Sequence, residues 1–226
     1  MSKIIFIIVV IAVIVGAIYY EKRRGDNFSM LAKRLGFDFF PGQHKLPDEL
    51  DKVGFDLFTQ GPPNIRNRIR GVRGNRDITI FDFTYTASSA SEGQRGYPMA
   101  DDFKSVETRS QSVIWIRSQQ TLPDFDLSPS RIHMRSVASR FGLHRLTFDG
   151  QSAFNDQHTL LVRDDQKVRA LFDERIFAYL AEHPRLVFES RGRDALFYRF
   201  EKLPEPDSIP QFLEDAEGLL DLFQRQ

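Results

Sequence analysis

The chain has 226 residues, 41% of them hydrophobic, and its 31 basic residues are balanced by 31 acidic ones. That is enough apolar material for one large domain with a sizeable core, and zero net charge excludes a global field drawing the molecule onto nucleic acid or an anionic surface. Cysteine is absent, which excludes disulfides, thiolate metal sites and cysteine nucleophiles together.

Ile4 to Tyr20, IIFIIVVIAVIVGAIYY, is a run of seventeen uncharged residues. At about 1.5 Å per residue it lies at the lower end of what a helix needs to cross a bilayer core. Unpartnered backbone groups are costly in lipid, so the solvent enforces a helix even on isoleucine and valine. Tyr19 and Tyr20 suit one interface, and Glu21, Lys22, Arg23 and Arg24 follow at once. A cleaved secretory signal is the competing reading, with Lys3 as the basic flank and Ala17 before the cut. Against it, the apolar run continues through Ile18, Tyr19 and Tyr20 with no polar spacer, and the cations stand after the run. The expectation is an uncleaved anchor over residues 1–24, contacting the lipid bilayer through residues 4–20, and a soluble domain over residues 25–226. The excess of Lys22, Arg23 and Arg24 over Lys3 and the terminal amine predicts a single-pass inner-membrane protein with its domain in the cytoplasm.

After the anchor, Phe28, Leu31, Ala32 and Leu35 recur at helical spacing, with Asp26 or Asn27 as a cap and Gly36 as a stop, so a separate short helix is expected. FDFFPGQ reads as a strand ended by Pro41 and Gly42, LPDELDKVG as a link with one helical turn, and Phe55 to Thr59 as the start of the sheet. RNRIRGVRG and DITIFDFTYT form a hairpin about Gly74 and Asn75. Ser88 to Asp102 reads as a long loop. Ser110 to Ser118 is a strand with Val113, Trp115 and Arg117 on one face and Ile114 and Ile116 on the other. TLPDFDLSP is an extended link turning at Pro123 and Pro129, followed by a helix near Ser130 to Phe141 and strands at His144 to Phe148 and His158 to Arg163. Phe154 and Asn155 fit a turn that pins an aromatic into the core. DQKVRALFDERIFAYLAEH is one amphipathic helix capped by Asp164 or Asp165 and ended by Pro184. Arg185 to Glu189 and Leu196 to Glu201 read as a second hairpin around SRGRDA. The closing helix starts with Ser208 and Gln211 at capping-box spacing and carries Leu213, Ala216, Leu220 and Phe223 along one side. This order predicts an α+β fold: an N-terminal transmembrane helix followed by a mainly antiparallel sheet with packed helices.

Five arginines, Arg66, Arg68, Arg70, Arg73 and Arg76, crowd into NIRNRIRGVRGNRD. On a strand, Arg66, Arg68 and Arg70 would project from one face, a dense positive surface for anionic lipid or an acidic partner. The competing reading is an edge-protecting face partly neutralised by the acidic carboxyl-terminal segment, which carries Glu214, Asp215, Glu217 and Asp221. Nucleic acid is not expected, since stacking aromatics are not interleaved with the cations. The five histidines include no pair at metal-binding spacing, and no nucleophile elbow, P-loop or dinucleotide fingerprint occurs, so neither metal nor cofactor is expected. His158 beside Asp156 reads as an exposed polar pair at the start of a strand rather than an oriented base.

The succession of an N-terminal span, IRGVRGNRDITIFDFTYT, LPDFDLSP and FDGQSAFNDQHTLLVRDDQKVRALFDERI resembles a group of uncharacterised bacterial membrane-anchored proteins. The resemblance implies a bacterial source and membrane anchoring, and it carries over no functional residue. The function expected is that of a membrane-anchored accessory or scaffold protein that binds rather than catalyses. The alternative is a hydrolase or transferase with a dispersed active site.

Overall fold

The first element does not stop at the end of its apolar run. In the computed structural model, which describes residues 2–88, 106–130, 142–200 and 203–225, α1 (Ser2–Leu35) is one continuous helix, where the sequence suggested an anchor and a separate short helix. No Gly–Pro break intervenes, and Gly25 alone is too small a perturbation to end a helix held by packing on its far side. α1 is long and apolar enough to cross a membrane. Its residues 4–20 are exposed, whereas Phe28, Leu31 and Ala32 are buried in the domain. Gly36, at φ +69°, ends it as expected, and the Phe37 amide returns to the Ala32 carbonyl at 2.9 Å, the bonding of a Schellman stop.

A mainly antiparallel sheet of seven strands follows, so the fold is α+β as predicted. β1 (Asp38–His44) pairs with β2 (Asn64–Arg73), β2 with β3 (Arg76–Ser88), and β3 with β4 (Val106–Pro129), all antiparallel. β1 passes through Pro41 and Gly42 instead of ending there, because its register shifts between Phe40 and Gln43 and the bulge accommodates both. β4 likewise absorbs the segment expected to be a link. Pro123 falls where the register against β7 (Leu186–Arg199) slips between Leu122 and Phe125, so its missing N–H breaks no ladder bond. β7 is one bent strand and not a hairpin; Gly192, at φ +60°, bends it so that it follows β4 along both halves. Beyond Pro123, β4 also pairs with β6 (His158–Val162), which carries β5 (His144–Leu146) at the edge. The loop after Ser88 and the helix expected up to Phe141 fall largely at positions outside the described residues.

Two cores cover the two faces of this sheet. On one face Ile69, Ile78, Ile80, Ile114 and Ile116 meet α1 and α6 (Ile209–Gln224). Rings of Phe125, Phe188 and Phe223 interlock there at centroid distances of 5.1–5.4 Å. On the other face Phe81, Phe83, Val113, Trp115 and Tyr198 are roofed by Leu50 of α2 (Asp48–Asp51) and by Phe55 and Leu57. The alternation of Val113 and Trp115 against Ile114 and Ile116 is as the sequence predicted.

Asp56–Thr59 is a 3-10 helix, not a strand. α3 (Ser152–Gln157) replaces the turn expected at Phe154, whose ring is buried as foreseen. The long amphipathic helix is two, α4 (Asp165–Leu171) and α5 (Glu174–Glu182). The Asp173 side chain accepts from the amides of Arg175 and Ile176 and so starts a second helix inside an unbroken apolar stripe. Asp164 caps α4 as expected. Ser208 belongs to a 3-10 turn, and its hydroxyl donates to the Glu205 carbonyl instead of capping α6.

At Gly71 of β2 a Cβ atom would overlap the Phe37 ring, which is itself buried. Gly71→Ala is therefore expected to destabilise the domain by about 1–3 kcal/mol, measured as a fall in thermal midpoint with little change in the circular dichroism of the folded state.

Candidate functional site

The most heavily specified polar construction lies where α1 leaves its exposed apolar length. Arg24, only 5% exposed, donates from Nε to Asp82 Oδ2 at 2.7 Å and from Nη2 to Asp82 Oδ1 at 2.8 Å. Its Nη1 donates to the Pro204 carbonyl at 2.9 Å. Asp82 also accepts from the Ser112 hydroxyl at 2.7 Å and from the Asn67 amide at 3.0 Å. A buried guanidinium thus ties the helix to β3, β4 and the approach to α6 at once. Burial would lower the Arg24 pKa, but the hydrogen bond and charge of Asp82 outweigh it and raise it, so the guanidinium keeps its charge.

Asn67 also decides the geometry of the arginines. It stands at φ +52°, a left-handed conformation that Asn tolerates better than most residues, and the β2 register slips between Arg66 and Ile69. Ile65 consequently packs into one core and Ile69 into the other. The expected common face for Arg66, Arg68 and Arg70 is therefore broken by the bulge. Arg66 turns toward α1 and pairs with Glu21. Arg68 pairs with Phe40 across the strands and lies over its ring at 4.5 Å, and Arg70 is exposed beside Asp38. Arg73 reaches Glu217 at 2.9 Å, while Arg76 binds Asp221 at 2.5 Å and Gln224 at 2.7 Å, all on α6. The structure does not bring the five together. The acidic carboxyl-terminal segment neutralises two of them, and an asparagine inside a strand pattern was the signal for the split.

Between α1 and β1–β2 opens a cleft of about 520 Å³, with Ile18, Lys22, Gly25 and Asp26 on the helix side and Phe39 and Arg66 on the sheet side. Its wall begins inside the apolar run, and its rim carries both signs of charge. Nothing in the sequence signalled it, because its lining joins α1 to Pro41, Gly42 and Gln43 at the β1 bulge and to Arg66 and Asn67 of β2, residues far apart in the chain.

Two other polar clusters are architectural. Glu189, 1% exposed, accepts from the amides of Asp56 at 2.6 Å and Leu57 at 3.2 Å and from the Tyr198 hydroxyl at 2.9 Å. It therefore holds the start of the 3-10 helix. Arg191 forks onto the neighbouring Asp126 at 2.6 and 3.0 Å. Burial, with the charge of Asp126 added, pushes Glu189 up to about 8 against the pull of Arg191. Carboxylates so enclosed offer no approach to a substrate. His158 is buried, not exposed as expected; its ring stacks on Phe154 at 5.1 Å, and burial lowers its pKa. Among the described residues, no group of three His, Asp or Glu side chains could hold a metal.

The chain matches no family model. No curated protein matches it in sequence. In three dimensions it is similar to the crystal structure of the mycobacterial trehalose monomycolate transport factor A, TtfA, with a TM-score of 0.61 over 88% of this chain and 93% of that one. The two sequences are 14% identical, so the likeness is one of fold.

Proposed function

We propose that the protein is a membrane-anchored accessory protein that works by binding, with α1 crossing the inner membrane once and the α+β domain held in the cytoplasm. One observation carries this reading: the apolar length and the domain share a single helix, fixed by the buried Arg24–Asp82 pair about one turn beyond Tyr20. An enzyme on a tether needs no such rigid junction, whereas a component that must present a surface at a set height does. The fold neighbour is named a transport factor, which accords with a non-catalytic role.

This placement divides the arginines. β2 climbs beside α1, from Arg66 near Glu21 to Gly71 near Phe37, about 17 Å of strand at about 3.4 Å per residue. Arg73 and Arg76 stand at the far end, beyond reach of lipid. Arg68 and Arg70, on the face away from α1, form the surface for an acidic protein partner, and Arg66 alone of the five stays at the membrane.

Reporter fusions at the carboxyl terminus test the topology: cytoplasmic reporters are expected to be active, and activity from a periplasmic reporter overturns the orientation. The surface assignment is tested by melting curves. Arg70→Gln is expected to shift stability by less than about 1 kcal/mol, as an exposed charge does. Arg76→Gln loses two partners on α6 and is expected to cost about 1–2 kcal/mol. Reproducible turnover of a generic ester or phosphate substrate, abolished by a point substitution, would overturn the binding role.

A further inference from the structure

We infer that the cleft between α1 and the β1–β2 edge binds a phospholipid headgroup bearing both a phosphate and a primary ammonium, the ethanolamine class. This rests on the reading that α1 spans the bilayer.

The apolar run of seventeen residues extends about 26 Å at about 1.5 Å per residue, short of a hydrocarbon core of about 30 Å. Such a mismatch draws the flanking turn into the interface, and Arg24 cannot relieve it by reaching outward because it is buried on Asp82. Ile18, within the run, lines the same cleft as Lys22 and Asp26, one and two turns further on. The cleft therefore spans the boundary between acyl chains and headgroups.

The cleft is lined by two cations, Lys22 and Arg66, and two carboxylates, Glu21 and Asp26. Arg66 and Glu21 engage each other. Lys22 and Asp26, both exposed, stand at i and i+4 on one helix face, roughly 6 Å apart at Cβ. A headgroup phosphate accepts from Lys22 Nζ and from the Arg66 guanidinium, and the ammonium, two methylenes away, donates to the Asp26 carboxylate. A singly anionic headgroup meets a lining of zero net charge and leaves Asp26 repelling it. A quaternary ammonium lacks the N–H to give Asp26.

Gly25 faces the cleft, and a Cβ there would already stand 3.4 Å from Asn67 Oδ1. Any larger side chain grows into the volume the headgroup would take. Phe39 and Ile18 offer the apolar contact for the first acyl carbons.

The test uses the full chain, purified in mild detergent, delipidated, and titrated with phosphatidylethanolamine, phosphatidylglycerol and phosphatidylcholine under native mass spectrometry. One phosphatidylethanolamine is expected to be retained about fivefold more than either competitor. Lys22→Gln with Asp26→Asn is expected to abolish that preference, and Gly25→Leu, which removes no charge, to abolish retention. Both should keep the wild-type melting temperature. Equal retention of all three lipids, or an undiminished preference in both variants, overturns the assignment. Carbonate extraction separates this failure from failure of the anchor: a wild-type chain that washes off membranes refutes the span, whereas one that stays but shows no preference refutes only the headgroup site.

Discussion

Asp82→Ala is expected to lower the stability of the domain by about 3–5 kcal/mol, enough to unfold much of it. The side chain accepts from Arg24 twice, from Ser112 and from Asn67, and every one of those donors is at least partly buried. Removing it leaves a guanidinium in the core without its paired carboxylate. Replacing both partners, Arg24→Met with Asp82→Leu, removes the desolvated charge altogether and should recover most of the loss. Denaturant midpoints of the two variants in detergent distinguish the cases. If the single change costs less than about 1 kcal/mol, the pair does not hold α1 to the sheet and the rigid junction has lost its physical basis.

Glu189 gives the second large effect, and its sign can be worked out. Its pKa rises from the ordinary 4.5 to about 8 in the folded state, so the folded chain binds the proton more tightly than the unfolded one. That contribution to stability is fully present below about pH 4.5 and is lost as the pH climbs through about 8. Wild-type stability should therefore acquire a downward slope across this window. Glu189→Gln removes the slope. It also turns an amide group toward the Asp56 N–H, which Glu189 now accepts at 2.6 Å, at an expected cost of about 1–3 kcal/mol at acid pH. Urea titrations of both chains from pH 4.5 to 9 measure slope and offset together, and parallel profiles would remove Glu189 as the titrating group.

The elements that could be read from the sequence are those written in local pattern. The apolar run of α1, the Gly74–Asn75 hairpin, and the alternation around Trp115 depend on neighbours within a few positions. The elements that were misread depend on partners far along the chain. Asp56–Thr59 is helical because Glu189, 133 residues away, takes its first amide. Pro123 stays in a strand because β7 slips its register there. Asp173 splits a helix whose apolar stripe runs on through Phe172 and Ile176, a conflict in which the capping side chain outweighs continuity. The arginines follow the same division. Their number was plain, but Arg73 and Arg76 find partners on α6 about 145 residues later, and the bulge at Asn67 undoes the simple alternation that would have aligned the rest.

The rigid continuity of the apolar length of α1 with the domain is tested most directly by a distance distribution. The chain contains no cysteine, so Val15→Cys on the apolar length and Val72→Cys on β2, both exposed, can be spin-labelled without background. Double electron–electron resonance on the full chain in lipid nanodiscs should give one narrow distance peak, and Lys22→Pro, which breaks α1 at the junction, should broaden it. A broad or two-peaked distribution in the unbroken chain, matching that of Lys22→Pro, would contradict the account.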